Sequence, residues 1–207
     1  MRNPITSRLA LVFFLMGLGS SRCPAAAYYV DSVSVNDANA GTSTSAPWKT
    51  LAKVSGRTYA AGDTIYLKNG SGGAETLTLN SSGTASMRIT VMTYGSGSAP
   101  VMRQLSVNGA YTAFRGFIVD QNKGANDAVL VRARNVNLTG LTIRNGTKDG
   151  MDMNDGDGSV IDGCLIYNFL GGSYTAPLDA HGIVATDTQG LTIRNTEVHH
   201  VSGDSFQ

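Results

Sequence analysis

An eight-residue pattern that occurs four times constrains the fold of this chain more than any other feature. Each copy has glycine at its third position, apolar residues at its fourth and sixth, and an amide at its eighth. The copies begin at Phe114, Leu138, Ile161 and Thr188, so that 24, 23 and 27 residues separate them. A period of this size is typical of solenoids, in which each repeat buries its apolar side against its neighbours.

The alternation of side chains within the pattern predicts β-strands that stack into apolar columns. The inward pairs are Phe117 and Val119, Leu141 and Ile143, Cys164 and Ile166, and Leu191 and Ile193. A second strand precedes each of the last three copies, with Val129, Met151 and Ile183 facing inward. Since no helical period appears after about residue 55, the sequence predicts an all-β fold: a right-handed parallel β-helix (solenoid) with two strands in each coil.

The start of the chain predicts a signal peptide and then a cap on the solenoid. Residues 1–27 combine a positively charged start, a short apolar run and an A-x-A cleavage site, so we expect a secreted protein whose mature chain begins at Tyr28. Residues 28–62 predict a short strand, a loop and a capping helix that begins near Pro47 and carries Trp48. Residues 63–207 form the coils. The next inward strand begins at Phe206, so we expect a fragment of a longer protein.

Charge and cysteine content narrow the functional classes. Cleavage removes three of the 16 basic residues and none of the 15 acidic ones, which leaves a formal net charge of −2. We therefore expect no nucleic-acid partner, no membrane partner after signal cleavage, and a monomer. Cys164 is the one cysteine of the mature chain, and its apolar position in the repeat predicts a buried structural residue rather than a nucleophile.

The candidate site is a series of polar residues that stand just before the inward strands. Asp127, Asp149, His181 and Asp204 occupy this place in successive coils, about 4.8 Å apart. Asp127 and Asp149 would repel each other unless a cation or a proton intervened. Asp152 follows on the same strand. Clustered carboxylates are the hard oxygen ligands that Ca²⁺ prefers, whereas the alternative is that Asp-Gly merely starts a strand after a turn.

His181 is open to two interpretations. It is either a general base or acid beside the carboxylates, or a turn residue whose ring is satisfied by local hydrogen bonds.

The cap and the coils together resemble secreted bacterial β-helix proteins of the pectate-lyase-like superfamily. The likeness is carried by Tyr29-Val-Asp, Pro47-Trp-Lys-Thr-Leu and Gly62-Asp-Thr-Ile-Tyr-Leu-Lys, and by the repeats that follow. Family-9 pectate lyases hold calcium with one Asp on one coil and an Asp-Asp-Gly-x-Asp run on the next. The resemblance implies that Asp127, Asp149 and Asp152 are ligands of Ca²⁺, while Lys148 replaces the first Asp of the run. It also implies β-elimination on an acidic, uronate-containing polysaccharide. No Lys follows Lys148, which leaves His181 as the visible candidate base.

Two other functions stay open at this point. Polygalacturonase-like β-helices also carry stacked Asp residues and a His-Gly pair, as in His181-Gly182, so a glycoside hydrolase is one alternative. The other is a non-catalytic surface or carbohydrate-binding β-helix, because a fold does not fix a function.

Overall fold

The computed structural model describes residues 24–33, 36–173 and 175–207, and it forms a parallel β-helix. Three parallel sheets run along the axis and are named A, B and C by their strands below. Each coil contributes one strand to sheet C, then one to sheet A and then one to sheet B. In chain order the first strands are β1 (Ala27–Val30), β2 (Thr64–Lys68), β3 (Thr76–Leu79), β4 (Ile89–Tyr94), β5 (Val101–Met102), β6 (Gln104–Val107), β7 (Thr112–Arg115), β8 (Ile118–Gly124) and β9 (Val129–Val131). They are followed by β10 (Val136–Thr139), β11 (Thr142–Gly146), β12 (Met151–Asn154), β13 (Val160–Asp162), β14 (Leu165–Phe169), β15 (Gly171–Ser173), β16 (Ala176–Leu178), β17 (Ile183–Thr186), β18 (Thr192–Arg194) and β19 (Glu197–Val201).

The order of strands in each sheet shows how successive coils stack. Sheet A is β1-β2-β4-β7-β10-β13-β18, sheet B is β5-β8-β11-β14-β19, and sheet C is β3-β6-β9-β12-β17. Strands β15 and β16 pair with each other in an antiparallel hairpin. The predicted inward columns are confirmed where the register is continuous: Ile143 pairs with Val119 and with Ile166, and all three are fully buried. Burying each such side chain contributes roughly 1.5–3 kcal/mol.

Each coil has three strands, and the prediction of two was wrong. The eight-residue pattern spans a corner, because its glycine lies between a strand of sheet A and one of sheet B. Gly116, Gly140 and Gly163 have φ values of 78°, 60° and 63° there. This left-handed conformation, which glycine adopts without steric cost, turns the chain from one sheet to the next.

The fourth copy of the pattern lies one sheet away from the other three. Ile193 pairs with Ile161 in sheet A, whereas Ile166 of sheet B pairs with Val198. Leu191 therefore precedes a strand of sheet A, while Leu141 precedes one of sheet B. The place of Gly163 is taken in the last coil by Asn195, at φ 50°. The predicted alignment failed because Gly190 also adopts a positive φ, at a different corner, and so repeats the same sequence pattern.

The N-terminal segment closes the open end of the β-helix. Trp48 is 2% exposed, pairs with Val30 through an isolated bridge and stacks on Tyr28 with ring centroids 5.1 Å apart. The helix α1 (Leu51–Ser55) is shorter than predicted, since Pro47 and Trp48 precede it. Glu75 Oε2 accepts hydrogen bonds from the first two amides of α1, which holds the helix against the start of β3.

Most of the predicted signal peptide, residues 1–23, lies outside the described residues. Strand β1 begins at Ala27, one residue before the expected mature start at Tyr28. None of the helices that the structure describes is long and apolar enough to cross a membrane. Cys164 is buried, as predicted, and burial raises the pKa of its thiol.

Candidate functional site

The predicted polar series lies at the corner where sheet B ends and sheet C begins. We call Asp127, Asp149, His181 and Asp204 the corner column. Strand pairing places Val129, Met151 and Ile183 in register, and an isolated bridge continues this column to Phe206. The residues two positions before them are therefore neighbours on successive coils, as the sequence predicted.

Backbone amides link the corner column from coil to coil. The N–H of Asp149 donates to Asp127 Oδ1 at 3.3 Å, and the N–H of His181 donates to Asp149 Oδ1 at 2.7 Å. The N–H of Asp204 then donates to His181 Nδ1 at 2.9 Å. Each side chain thus satisfies an amide of the next coil, which explains why acceptor side chains recur at a strand start that follows a turn.

Lys148 is the cation that reduces the expected repulsion between the carboxylates of Asp127 and Asp149. Its Nζ lies 2.9 Å from Asp127 Oδ2. The Asp127 side chain is 6% exposed and the Lys148 side chain 53% exposed, so the carboxylate is buried and the ammonium reaches water. The hydrogen bond to Asp127 raises the pKa of Lys148, and the negative charges of Asp127, Asp149 and Asp152 add to this effect. Lys148 is therefore charged at neutral pH.

Asp152 stands apart from the corner column. It points outward from β12, and its neighbours in register on the two adjacent coils are Leu130 and Val184. Arg132 binds it through Nη2, which lies 2.6 Å from Asp152 Oδ2. The structure therefore brings together Asp127 and Asp149 of the predicted ligand set and pairs Asp152 with a cation of its own.

His181 is held by hydrogen bonds on both its backbone and its ring. Because Nδ1 accepts the N–H of Asp204, the proton of the neutral imidazole lies on Nε2. This geometry is that of the turn residue foreseen as one alternative, and the role of His181 as a base stays a prediction.

The described residues do not fit a calcium ion at this corner. They contain no group of three His, Cys, Asp or Glu side chains that could hold a metal. Both oxygens of Asp127 are occupied, one by an amide and one by an ammonium. A divalent ion about 5 Å from the Lys148 ammonium would be repelled by about 7 kcal/mol at an effective dielectric constant of about 20. Calcium binding by Asp127, Asp149 and Asp152 stays a prediction, and no chemical step is assigned to it.

A groove lies beside the corner column, at the ends of the sheet B strands. We call it the amide groove because one asparagine from each of three successive coils lines it. Its volume is about 530 Å³, and its lining residues are Asn122, Lys123, Asn145, Gly146, Thr147, Asn168 and Leu170. The three asparagines have φ values of 46°, 63° and 60°. Asparagine tolerates the left-handed conformation, so the same residue turns the chain and presents an amide.

The amide groove continues past Asn122 and Asn145 into a second depression of about 290 Å³, lined in part by Arg103 and Asp120. Burial alone would raise the pKa of Asp120, but hydrogen bonds from Arg144, the N–H of Asn122 and Asn145 hold it below its ordinary value. Asp120 is therefore ionised and fixed in place.

The amides that close the four copies of the repeat form only part of a ladder along the axis. Asn168 Nδ2 donates to Asn145 Oδ1 at 3.3 Å. Gln121 instead turns inward, where it is buried and donates to the carbonyl of Arg103. Asn195 lies at another corner and donates to Asp162.

The hairpin of β15 and β16 is inserted at this corner, between the end of β14 and His181. It lengthens the coil to 32 residues, measured from Asp149 to His181, compared with the 22 residues from Asp127 to Asp149 in the coil before it. Leu170 leads into the hairpin and lines the amide groove, while Leu178 at its end is 64% exposed. The hairpin therefore follows directly on the edge of the amide groove, and Ser202 of the next coil is hydrogen-bonded to both Gly171 and Leu178.

Sequence reasoning missed the hairpin, the Arg132–Asp152 pair and the groove. The segment Gly171-Gly-Ser-Tyr-Thr-Ala-Pro-Leu is turn-rich and falls between repeats, which was the available signal for an insertion. Nothing in the spacing indicated Arg132, because its guanidinium crosses from one coil to the next to meet Asp152.

The chain resembles a lacto-N-biosidase in sequence. It is 26% identical over 204 residues to lacto-N-biosidase from Bifidobacterium longum subsp. longum, and this alignment covers 86% of the chain but 12% of that protein. No protein-family model matches the chain.

Three solved structures share its fold. A rhamnogalacturonan lyase matches with a TM-score of 0.73 and 17% identity, over 88% of this chain and 54% of that one. Pectate lyase Pel9A matches with a TM-score of 0.67 and 21% identity, over 82% and 46%. A GH136 lacto-N-biosidase from Eubacterium ramulus matches with a TM-score of 0.58 and 21% identity, over 86% and 34%. The chain thus spans about half or less of the length of each of these four proteins, and the likeness of the structures establishes the parallel β-helix fold.

Proposed function

We propose that this chain is the glycan-binding β-helix of a secreted protein that processes an acidic polysaccharide. The observation that carries the proposal is the amide groove, which crosses successive coils and presents an asparagine at each of three. Amide groups both donate to and accept from sugar hydroxyls. A groove that repeats with the coils suits a ligand that is itself a repeating chain.

Cations beside the groove favour an acidic sugar over a neutral one. Lys123 lines the groove, Arg103 lines its extension, and Lys148 follows the lining residue Thr147. A carboxylate is recognised by such groups through charge-assisted hydrogen bonds, which are about twice as strong as neutral ones.

The reaction we propose is lyase-type β-elimination, in keeping with the two structural neighbours that are named as lyases. A cation that binds the sugar carboxylate makes the C5 proton more acidic, a base removes that proton, and the glycosidic oxygen leaves from C4. Among the described residues we assign the carboxylate contact to Lys148, and we assign the base to none.

Retention on immobilised polysaccharides tests the binding proposal. Polygalacturonate and rhamnogalacturonan should retain the protein more strongly than a neutral glucan. Asn122→Gly removes an amide from the groove lining but keeps a residue that adopts a positive φ, so we expect retention to fall about five- to tenfold. Asn195→Gly is the matched control, because Asn195 has the same conformation at another corner. Equal losses in the two variants, or equal retention on all polymers, would refute the proposal.

Glycoside hydrolysis is the second candidate, favoured by the likeness to lacto-N-biosidase in both sequence and structure. The products separate the two reactions. A lyase releases an unsaturated sugar end that absorbs in the ultraviolet, whereas a hydrolase releases reducing ends without that absorbance.

A further inference from the structure

The corner of sheets B and C contains its own cations. Three carboxylates lie at or near it on two adjacent coils: those of Asp127 and Asp149 at the corner itself, and that of Asp152 further along β12. Lys148 binds Asp127 at 2.9 Å and Arg132 binds Asp152 at 2.6 Å. Two positive side chains thus compensate three negative ones without any added ion.

Lys148 is fixed at one end and open at the other. Its buried partner Asp127 is itself held by the N–H of Asp149, so the ammonium is anchored to a rigid carboxylate. An ammonium has three N–H donors, and one of them is directed at Asp127 Oδ2. About half of the Lys148 side chain is exposed, next to the groove-lining residue Thr147. The other donors are not bound by the described residues and are open to a ligand that lies along the amide groove.

We infer that Lys148 is the resident cation of this corner and that it binds a glycan carboxylate there without a divalent metal. The inference deepens the proposed function and rests on it for the identity of the ligand. It also gives a physical reason why the described residues do not fit a calcium ion at this corner. The ammonium occupies the carboxylate oxygen that a metal would need, and it contributes a positive charge in the same place.

Binding of an oligogalacturonate to the full chain, in a chelator and then in excess Ca²⁺, tests the inference. Affinity should be the same in both conditions. Lys148→Gln keeps a hydrogen-bond donor for Asp127 but removes the charge, so affinity should fall about tenfold or more. Lys148→Arg keeps the positive charge and should therefore keep most of the wild-type affinity. Lys53→Gln, which removes an exposed lysine from α1, is the matched control and should bind as the wild type does. An affinity that depends on Ca²⁺, or that is unchanged in Lys148→Gln, would overturn the inference.

A metal titration separates failure of the inference from failure of the proposed function. Terbium luminescence, with Tb³⁺ as a calcium analogue, should detect no site in the wild type. Lys148→Asp should create a site, because it replaces the cation with a fourth carboxylate. If the wild type binds no acidic glycan at all, the proposed function fails, and the titration then decides the role of Lys148 alone. A stoichiometric Tb³⁺ site in the wild type, or none in Lys148→Asp, would contradict the assignment.

Discussion

Replacing Gly150 by alanine should destabilise the β-helix strongly, whereas the same change at Gly73 should not. A Cβ at Gly150 would lie 2.6 Å from the carbonyl oxygen of Gly182 on the next coil and 2.7 Å from Ile166 Cγ2 in the core. Both distances are well inside van der Waals contact. The carbonyl belongs to a segment that is held in register by sheet C, so it cannot move without disturbing the coil contact.

The expected cost follows from overpacking. Inserting one methyl group into a packed interior costs typically 1–3 kcal/mol, and we expect about 2–3 kcal/mol here because one partner is backbone. For a domain of this size that corresponds to a fall in Tm of roughly 4–12 °C. A methyl group added at Gly73 would meet no atom within 4 Å, and Gly73 has no positive φ, so Gly73→Ala should be neutral or slightly stabilising.

Urea unfolding of the two variants, followed by circular dichroism, provides the measurement. The m-value should be unchanged, so that a shift in midpoint reports stability alone. If the free energies of unfolding of Gly150→Ala and Gly73→Ala differed by less than about 0.5 kcal/mol, the stacking of the start of β12 on the start of β17 would be refuted.

Three further outcomes test the core, the charges and the thiol. Ile143→Ala should lower the free energy of unfolding by about 2–5 kcal/mol, since the side chain is fully buried between two coils. Thr142→Ala, on the outer face of the same strand, should cost little. Equal urea midpoints for the two variants would contradict the stacked apolar columns. The pKa of Asp120 is below its ordinary value of 3.8 in the folded state, so its stabilisation is present above that pH and is lost as the pH falls through the lowered value. The stability difference between wild type and Asp120→Asn should therefore shrink as the pH falls below 3.8, and a constant difference would count against the Arg144 contact. In the chain that begins at Tyr28, Cys164 should react with a thiol reagent only after unfolding, and rapid labelling of the folded protein would show that its burial is wrong.

The sequence was sufficient for the fold because the period and the alternation both report inter-coil packing. Ile143 and Ile166 lie one coil length apart, and each stands at an alternate position that faces inward. One pattern therefore located both the strand and its neighbours in the sheet. The pattern could not identify the corner, because a glycine at positive φ serves any turn. Gly190 therefore matched Gly163 in sequence while lying at a different place in the coil.

The candidate site was predictable in its backbone placement and unpredictable in its side-chain pairing. Register alone set Asp127 next to Asp149, since both precede an inward strand by two residues. The partner of each carboxylate depends on how a long side chain crosses between coils, and spacing does not encode that. In the sequence Lys148 resembled a defect in a metal site, whereas in the structure it is the counter-ion of Asp127.

A crystal structure of the chain with an oligogalacturonate, grown in the presence of a chelator, tests the central claim most directly. We expect the sugar along the amide groove, with amide contacts from Asn145 and a carboxylate within hydrogen-bonding distance of Lys148 Nζ. A sugar bound on another face, or one whose carboxylate is held without Lys148, would contradict the account.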